Sequence, residues 1–261
     1  DMACTDVATA VVADQVNLTN NHWSFSQAEI KSQFDLSQLY VINDFTAIAM
    51  SVPHISDDKK HQIGGDQAQV NKPIAIYGAG TGLGVAHLVH TGDKWMALSG
   101  EGGHVDFAPI DQDEINILKE LQKKYQRVSA EQLLSGLGLV QIYQSLCAVE
   151  GIEAKGYKPA DVTDKALSDE DPLAVKTLDI FCRILGSFGG NLALNLSTFG
   201  GVYIAGGIVP RFIEYVKSSE FRQRFDTKGR FSTLVKTIPV YVVTEEQPGL
   251  IGCAAYLKQE L

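Results

Sequence analysis

The chain has 261 residues, 45% of them hydrophobic and 20% charged, with 31 Asp and Glu against 22 Lys and Arg for a net charge of -9. That composition can bury one large core or two joined ones and excludes a disordered chain. The anionic balance argues against unaided nucleic-acid binding, and no uninterrupted apolar run approaches the roughly 18 residues of a membrane span. Cys4, Cys147, Cys182 and Cys253 are too scattered for a metal clamp or a disulfide framework, which reads as a reduced, cytoplasmic protein without a bound structural metal.

In chain order, Asp1-Met2 leads within a few residues into the apolar run Val7 to Val12 with no basic stretch and no cleavage pattern, so no signal peptide is read. The chain reads as one entered partway through a domain. A strand is expected at Leu39 to Ile42, then the polar pair Asn43-Asp44 and a helix from Phe45 to Met50. Ile74 to Tyr77 is a strand that runs into Gly78-Ala79-Gly80-Thr81-Gly82-Leu83-Gly84, and Val85 to Val89 is extended again. Asp113 to Tyr125 has acids first and lysines last, the order the helix dipole favours. A second helix is expected from near Ser129. A long one spans Asp171 to Phe199, with Val175, Leu178, Phe181, Leu185, Phe188, Leu192 and Leu196 at helical spacing. Gly189-Gly190 inside it costs about 1 kcal/mol per glycine, which predicts a closely packed neighbour. Gly200-Gly201 is expected to end it through a left-handed cap. The strand Val202 to Ala205, the turn Gly206-Gly207, a strand at Val240 to Val243 and a helix from about Gly249 to Lys258 complete the alternation, which is that of an α/β protein. There is no repeat, low-complexity tract or linker.

Four segments could carry chemistry. The glycine segment lacks the Gly-Lys-Ser/Thr of a P-loop, and a GxGxxG frame fails at Leu83. It reads as a tight turn between two strands, where Gly80, Thr81 and Gly82 could converge backbone N–H groups and a hydroxyl on a phosphate. An ordinary hairpin is the alternative, and four glycines at alternate positions exceed what a hairpin requires. Asn43-Asp44 ends a strand, where α/β folds place ligands, or else Asp44 is simply the N-cap of the next helix. Glu101-Gly102-Gly103-His104 lets a carboxylate and an imidazole point the same way. The competing readings are a metal pair, which lacks further ligands at the right spacing, and plain surface residues. Glu131 reads equally as an acid at a helix start. Gly206-Gly207 suits a planar ligand lying on backbone, or a strand-to-helix turn opened by Pro210. His22, His54, His61, His87 and His90 show no pairing and take no role.

Taken together, Thr19 to Trp23, Ile42 to Ala47, Gly78 to Gly84, Glu101 to Phe107, Val128 to Glu131, Asn191 to Asn195, Phe199 to Arg211 and Pro248-Gly249-Leu250 resemble the bacterial ATP-dependent glucokinases, in order and nearly end to end. The cysteine-rich zinc motif of the related repressor-type sugar kinases is absent, so the resemblance is to the zinc-free branch. It implies an actin- and hexokinase-like α/β fold with two lobes around a cleft: residues 1–54, completed by 245–261, as the small lobe and 55–244 as the large one. It implies ATP with Mg²⁺ as phosphate donor, glucose as acceptor at its 6-hydroxyl, and a homodimer. By position, Asp44 corresponds to the general base, and Asn43, Glu101, His104 and Glu131 to the holders of the other hydroxyls. Gly80, Thr81 and Gly82 correspond to the second phosphate loop and Gly206-Gly207 to the adenosine site. A kinase for another hexose and a non-catalytic sugar-responsive regulator are the alternatives. Asp44 and the lack of a basic helix-turn-helix stretch disfavour the regulator. The family opens on a strand-turn-strand with an Asp-x-Gly-Gly-Thr loop that has no counterpart here, so the chain is expected to start about sixty residues into the family's length and to be inactive and prone to aggregate as it stands.

Overall fold

A polar pair after an apolar strand and a glycine segment between two apolar strands are the two sequence features that the architecture is built around. The computed structural model describes residues 1–9, 11, 13–18 and 23–260. Strand β1 (Met2–Val7) is followed by a small antiparallel hairpin, β2 (Gln15–Asn17) and β3 (Ser24–Ser26), and by α1 (Gln27–Gln33), whose first turn Ser26 caps. β4 (Gln38–Asn43) pairs with β1 in parallel, placing Asp6 opposite Ile42 and Val7 opposite Asn43. Helix α2 (Asp44–Ser51) starts with no intervening loop.

Next come β5 (Lys60–Gln62), β6 (Ile74–Ala79), β7 (Leu83–His90) and β8 (Trp95–Gly100), then α3 (Gln112–Gln122), α4 (Gly136–Glu150), α5 (Pro159–Leu167) and α6 (Pro172–Leu196). The chain finishes with β9 (Val202–Ile204), the short helices α7 (Ile213–Ser218), α8 (Phe221–Asp226) and α9 (Ser232–Thr237), β10 (Val240–Val243) and α10 (Pro248–Glu260). Six of these strands form one sheet in the order β5-β10-β9-β6-β7-β8; β6, β9 and β10 run parallel and the other three are antiparallel to their neighbours.

The central strands are covered on both faces, which is why they read as unbroken apolar runs. Ala75 and Tyr77 of β6 belong to the core made with α4 and α6, whereas Ile74 and Ile76 pack with Ala49 and Met50 of α2. On its other side α2 meets the smaller sheet and α10, where Ala47 packs with Ile42 of β4 and Cys253 of α10. Helix α10 crosses α2 so closely that a side chain at Gly252 would stand 1.7 Å from the Ala47 carbonyl oxygen. The glycines inside α6 are explained by the neighbour their cost predicts: a Cβ would meet the Tyr77 hydroxyl at 2.5 Å from Gly189 and the Phe225 carbonyl at 2.4 Å from Gly190.

Two expectations change. The left-handed residue ending α6 is Ser197 (φ 48°), not Gly200; Gly201 (φ 109°) takes the positive φ only after a further turn. The helix expected from Ser129 is a single 3₁₀ turn, Ala130–Gln132, closed by a capping box between Ser129 and Gln132, and the true helix starts at Gly136 behind its own cap, Ser135. Among the described residues no helix is long and apolar enough to cross a membrane, and all four cysteines are free thiols.

Candidate functional site

Asn43 and Asp44 sit where β4 turns into α2, and the structure divides their work. Asn43 is the N-cap: its Oδ1 accepts from the Phe45 N–H at 2.9 Å and the Thr46 N–H at 3.3 Å, and its Nδ2 donates to Asp44 Oδ1 at 2.9 Å. Asp44 Oδ1 also accepts from the Phe45 N–H at 2.9 Å, while Oδ2 has no partner among the described residues. Capping therefore does not consume Asp44, which keeps one carboxylate oxygen for other chemistry. Burial raises its pKa above the ordinary aspartate value; the Phe45 N–H pulls against that shift and the nearby charge of Asp6 adds to it.

Phe45 fixes this pair against the larger sheet. Its ring lies where a side chain at Gly84 would be, with Cδ2 at 1.9 Å from the ideal Cβ position. Gly78 and Gly82 have comparable reasons: a Cβ would strike the Ala205 carbonyl at 2.2 Å and Glu131 Oε2 at 2.6 Å. Only Gly80 faces open space. The surplus of glycines is thus spent on close approaches from three directions, and none of the four has a positive φ.

The turn itself is anchored at both ends. Gly80 N–H donates to the Gly82 carbonyl at 2.8 Å, and the Gly80 carbonyl accepts from Gly136 N–H at 2.9 Å, the first residue of α4. The N–H groups of Thr81 and Gly82 and the Thr81 hydroxyl have no partners among the described residues and stand beside the positive end of a 15-residue helix. A helix N-terminus at the turn was not readable from the segment that follows it, which is a strand. It comes from 56 positions further along, and nothing local signals a contact between residues 80 and 136.

His104 and Glu131 are brought together by a second pairing, while Glu101 is tied to this turn only through its carbonyl, which accepts from the His104 N–H at 3.0 Å. The Ala130 N–H donates to the Val105 carbonyl at 2.9 Å and the Phe107 N–H to the Val128 carbonyl at 3.0 Å, which lays the segment before Glu131 along the segment after His104. His104 Nδ1 then lies 3.8 Å from Glu131 Oε2, and the Arg127 guanidinium holds the His104 carbonyl. Glu101 is exposed at the end of β8, opening the 3₁₀ turn Gly102–His104. Glu131 Oε2 also accepts from Leu83 N–H at 2.9 Å, so one carboxylate touches both His104 and the residue after the glycine turn. Gly206 (φ 86°) follows β9 and lies against the Ala79 carbonyl, 2.6 Å from its own ideal Cβ position; Gly207 beside it faces open space. Among the described residues no hydrogen bond joins Asn43 or Asp44 to Glu101, His104 or Glu131. The expected Thr19 to His22 segment lies outside the described residues, and no three His, Cys, Asp or Glu side chains gather as a metal cluster within them.

The family model described as Glucokinase matches residues 1–260. The chain belongs to the glucokinase family. It is 54% identical to the glucokinase of Tolumonas auensis over 259 residues, covering 99% of this chain and 81% of that protein. Among solved structures it resembles the glucokinase of an Antarctic psychrotroph, at a TM-score of 0.91 and 40% identity over 98% of this chain and 80% of that one. A ROK family glucokinase from Streptomyces griseus, in complex with glucose and AMPPNP, shares the fold at a TM-score of 0.59 and 17% identity, over 90% of this chain and 72% of that one. The two-lobed α/β fold implied by the motifs is therefore the glucokinase fold. Asp6, on a strand missed in the sequence, is near enough to Asp44 for its charge to add to the raised pKa there. Its only signal was the short mixed segment Met2 to Val7, too polar to stand out as a strand.

Proposed function

We propose that this glucokinase-family chain transfers the γ-phosphoryl group of ATP, supplied as its Mg²⁺ complex, to the 6-hydroxyl of glucose. The observation that carries the reading is the geometry at α2. A half-buried carboxylate with one uncommitted oxygen is locked through Phe45 and Gly84 to the strand that leaves a turn with free N–H donors. Asp44 removes the proton from the 6-hydroxyl as the phosphorus–oxygen bond forms, and its raised pKa makes it a better base than a free aspartate. Thr81 and Gly82 donate to the phosphate oxygens, with the α4 N-terminus adding positive potential behind them. Phosphoryl transfer depends mainly on positioning and charge neutralisation, so a rigid turn and a fixed base are the parts the protein must supply.

Glu101, His104 and Glu131 hold the other sugar hydroxyls, where charge-assisted hydrogen bonds are worth about 1.5–3 kcal/mol each. Gly207 and the open backbone beside it receive the adenosine. Mg²⁺ would enter with the nucleotide and would supply neutralisation of the phosphate charge, and the chain would need no ligand cage of its own for it. The chain acts as a cytoplasmic homodimer in this reading, with residues 1–54 and 245–261 as one lobe and 55–244 as the other. A substrate panel of hexoses and phosphate donors tests it, and turnover in that panel would at the same time overturn the expectation that the chain as it stands is inactive. Glucose with ATP should give the highest kcat/KM, and a clear preference for another hexose would replace the proposed acceptor.

A further inference from the structure

The large sheet ends in two edges, β5 and β8, and they are built differently. β5 is three residues long and carries Lys60, the short, charged kind of edge that resists pairing with another chain. β8 has six residues, Trp95 to Gly100, without a charge or a proline among them. The Thr91 N–H donates to the Lys94 carbonyl at 2.9 Å, which makes Thr91 and Lys94 a bonded pair of the β7–β8 ladder. By antiparallel alternation Met96, Leu98 and Gly100 bond to β7, and Trp95, Ala97 and Ser99 turn their N–H and carbonyl groups to the open side. The Trp95 N–H agrees, since it donates to Gln259 Oε1 of α10 at 2.7 Å. Among the described residues no partner reaches the N–H or carbonyl of Ala97 or Ser99 from that side. Two donors and two acceptors of the main chain are thus left to solvent. Met96 and Leu98 of this strand are 48% and 39% exposed.

We infer that this edge is the surface through which two copies of the chain join, β8 against β8, antiparallel about a two-fold axis at Leu98. The inference rests on the homodimer reading above and gives it a place. Two-fold pairing of identical antiparallel strands sets one residue opposite its own copy. With Leu98 there, Ala97 faces Ser99 of the second copy on both sides of the axis, and all the open groups of both residues are satisfied. An axis at Ala97 would set Ser99 against Trp95 of the second copy, whose N–H Gln259 already holds, and leave the Ser99 carbonyl unpaired. One at Ser99 would set Ala97 against Glu101, where the strand has already ended. Gln259 therefore selects the register as well as closing one end of the edge. The same register sets the two Leu98 side chains side by side as a non-hydrogen-bonded pair, the closer kind. A chain of net charge -9 repels its own copy, and β8 is a stretch where approach meets no like charge on the strand itself.

Sedimentation of the whole chain should show a monomer–dimer equilibrium, weakened at least about tenfold by Leu98→Glu, which opposes two carboxylates at the axis. Ser99→Pro removes an outward N–H and spares the β7 ladder, so it should weaken the dimer similarly with circular dichroism and Tm unchanged. Register is read by cross-linking. A non-hydrogen-bonded pair brings Cα atoms to about 4.5 Å, so Leu98→Cys treated with diamide should give a linked dimer that dithiothreitol reverses. Met96→Cys, on the same face but about 14 Å along the strands from its copy, should not link. A chain that stays monomeric at about 100 µM overturns the homodimer reading and this interface together. A dimer that survives both Leu98→Glu and Ser99→Pro, or that Met96→Cys links as readily as Leu98→Cys, keeps the homodimer and overturns the interface. Aggregates beyond a dimer that neither substitution reduces overturn it too.

Discussion

Gly84→Ala perturbs the contact that fixes the base to the phosphate turn. The added methyl would lie 1.9 Å from Phe45 Cδ2, 2.0 Å from Cε2 and 2.4 Å from Cγ, whereas ordinary contact begins at 3.4 Å. Rotation of the ring about its own axis leaves Cγ in place, so the clash is relieved only by moving the Phe45 side chain as a whole or the backbone of α2. Overpacking of this kind costs about 1–3 kcal/mol of stability. Asp44 is the preceding residue and shares its hydrogen bond with the Phe45 N–H, so a displacement of about 1 Å at the base is expected, worth on the order of 10²-fold in turnover. Steady-state phosphorylation of glucose should therefore show kcat reduced by about that factor with the glucose KM much less changed. The double variant Gly84→Ala with Phe45→Ala should recover part of the lost kcat, because the obstructing ring is gone. Gly84→Ala with kcat and Tm both at wild-type values would refute the reasoning.

Asp44→Asn should lower kcat by about 10²–10⁴-fold while glucose binding persists. Wild-type kcat should fall on the acid side at a pH above the ordinary aspartate range, because the Asp44 pKa is raised by burial. The same shift fixes the sign for stability. A carboxyl whose folded pKa lies above its unfolded value weakens the fold as pH rises through that interval, so Asp44→Asn should melt higher than wild type at pH 7, read by calorimetry. Glu131→Gln should keep an acceptor for Leu83 N–H and mainly raise the glucose KM, whereas Glu131→Ala should also lower kcat at saturating glucose; equal effects of the two would remove the bridging role. Asp171→Ala removes the cap of α6 together with the acceptor for Lys155, Tyr143 and Tyr157, and should cost about 2–4 kcal/mol in denaturant unfolding.

The parts of the site that were legible in the sequence are those with local causes. An apolar strand running straight into Asn43-Asp44 and a small-residue helix has only one economical conformation, and β10 has the very bounds its apolar run suggests. Which of two adjacent capping residues takes the cap was not legible, since Asn and Asp suit the position about equally and the backbone at residue 43 decides it. The alternating glycines were correctly read as a turn between strands. Their number, however, reflects Phe45, Glu131 and Ala205 approaching from distant segments, and only Gly80 remains for a phosphate to approach freely. The α4 N-terminus at the turn and the pairing of 105–107 with 128–130 were invisible for the same reason: each is a contact between segments whose own sequences call for nothing in particular.

The order of the large sheet also governs how the chain can fold during synthesis. β5 is among its first strands to leave the ribosome, yet its strand partner is β10, with Lys60 opposite Val243. β9 likewise waits for β10 on one side, so the β6–β7–β8 hairpins can form early while the other half of the sheet stays open. Pairings of such long sequence separation form slowly, and exposed strand edges invite association between nascent chains. Synthesis that stalls before residue 240 leaves β5 and one side of β9 unpaired and α2 without the helix that crosses it, a state for which a chaperone is the natural companion.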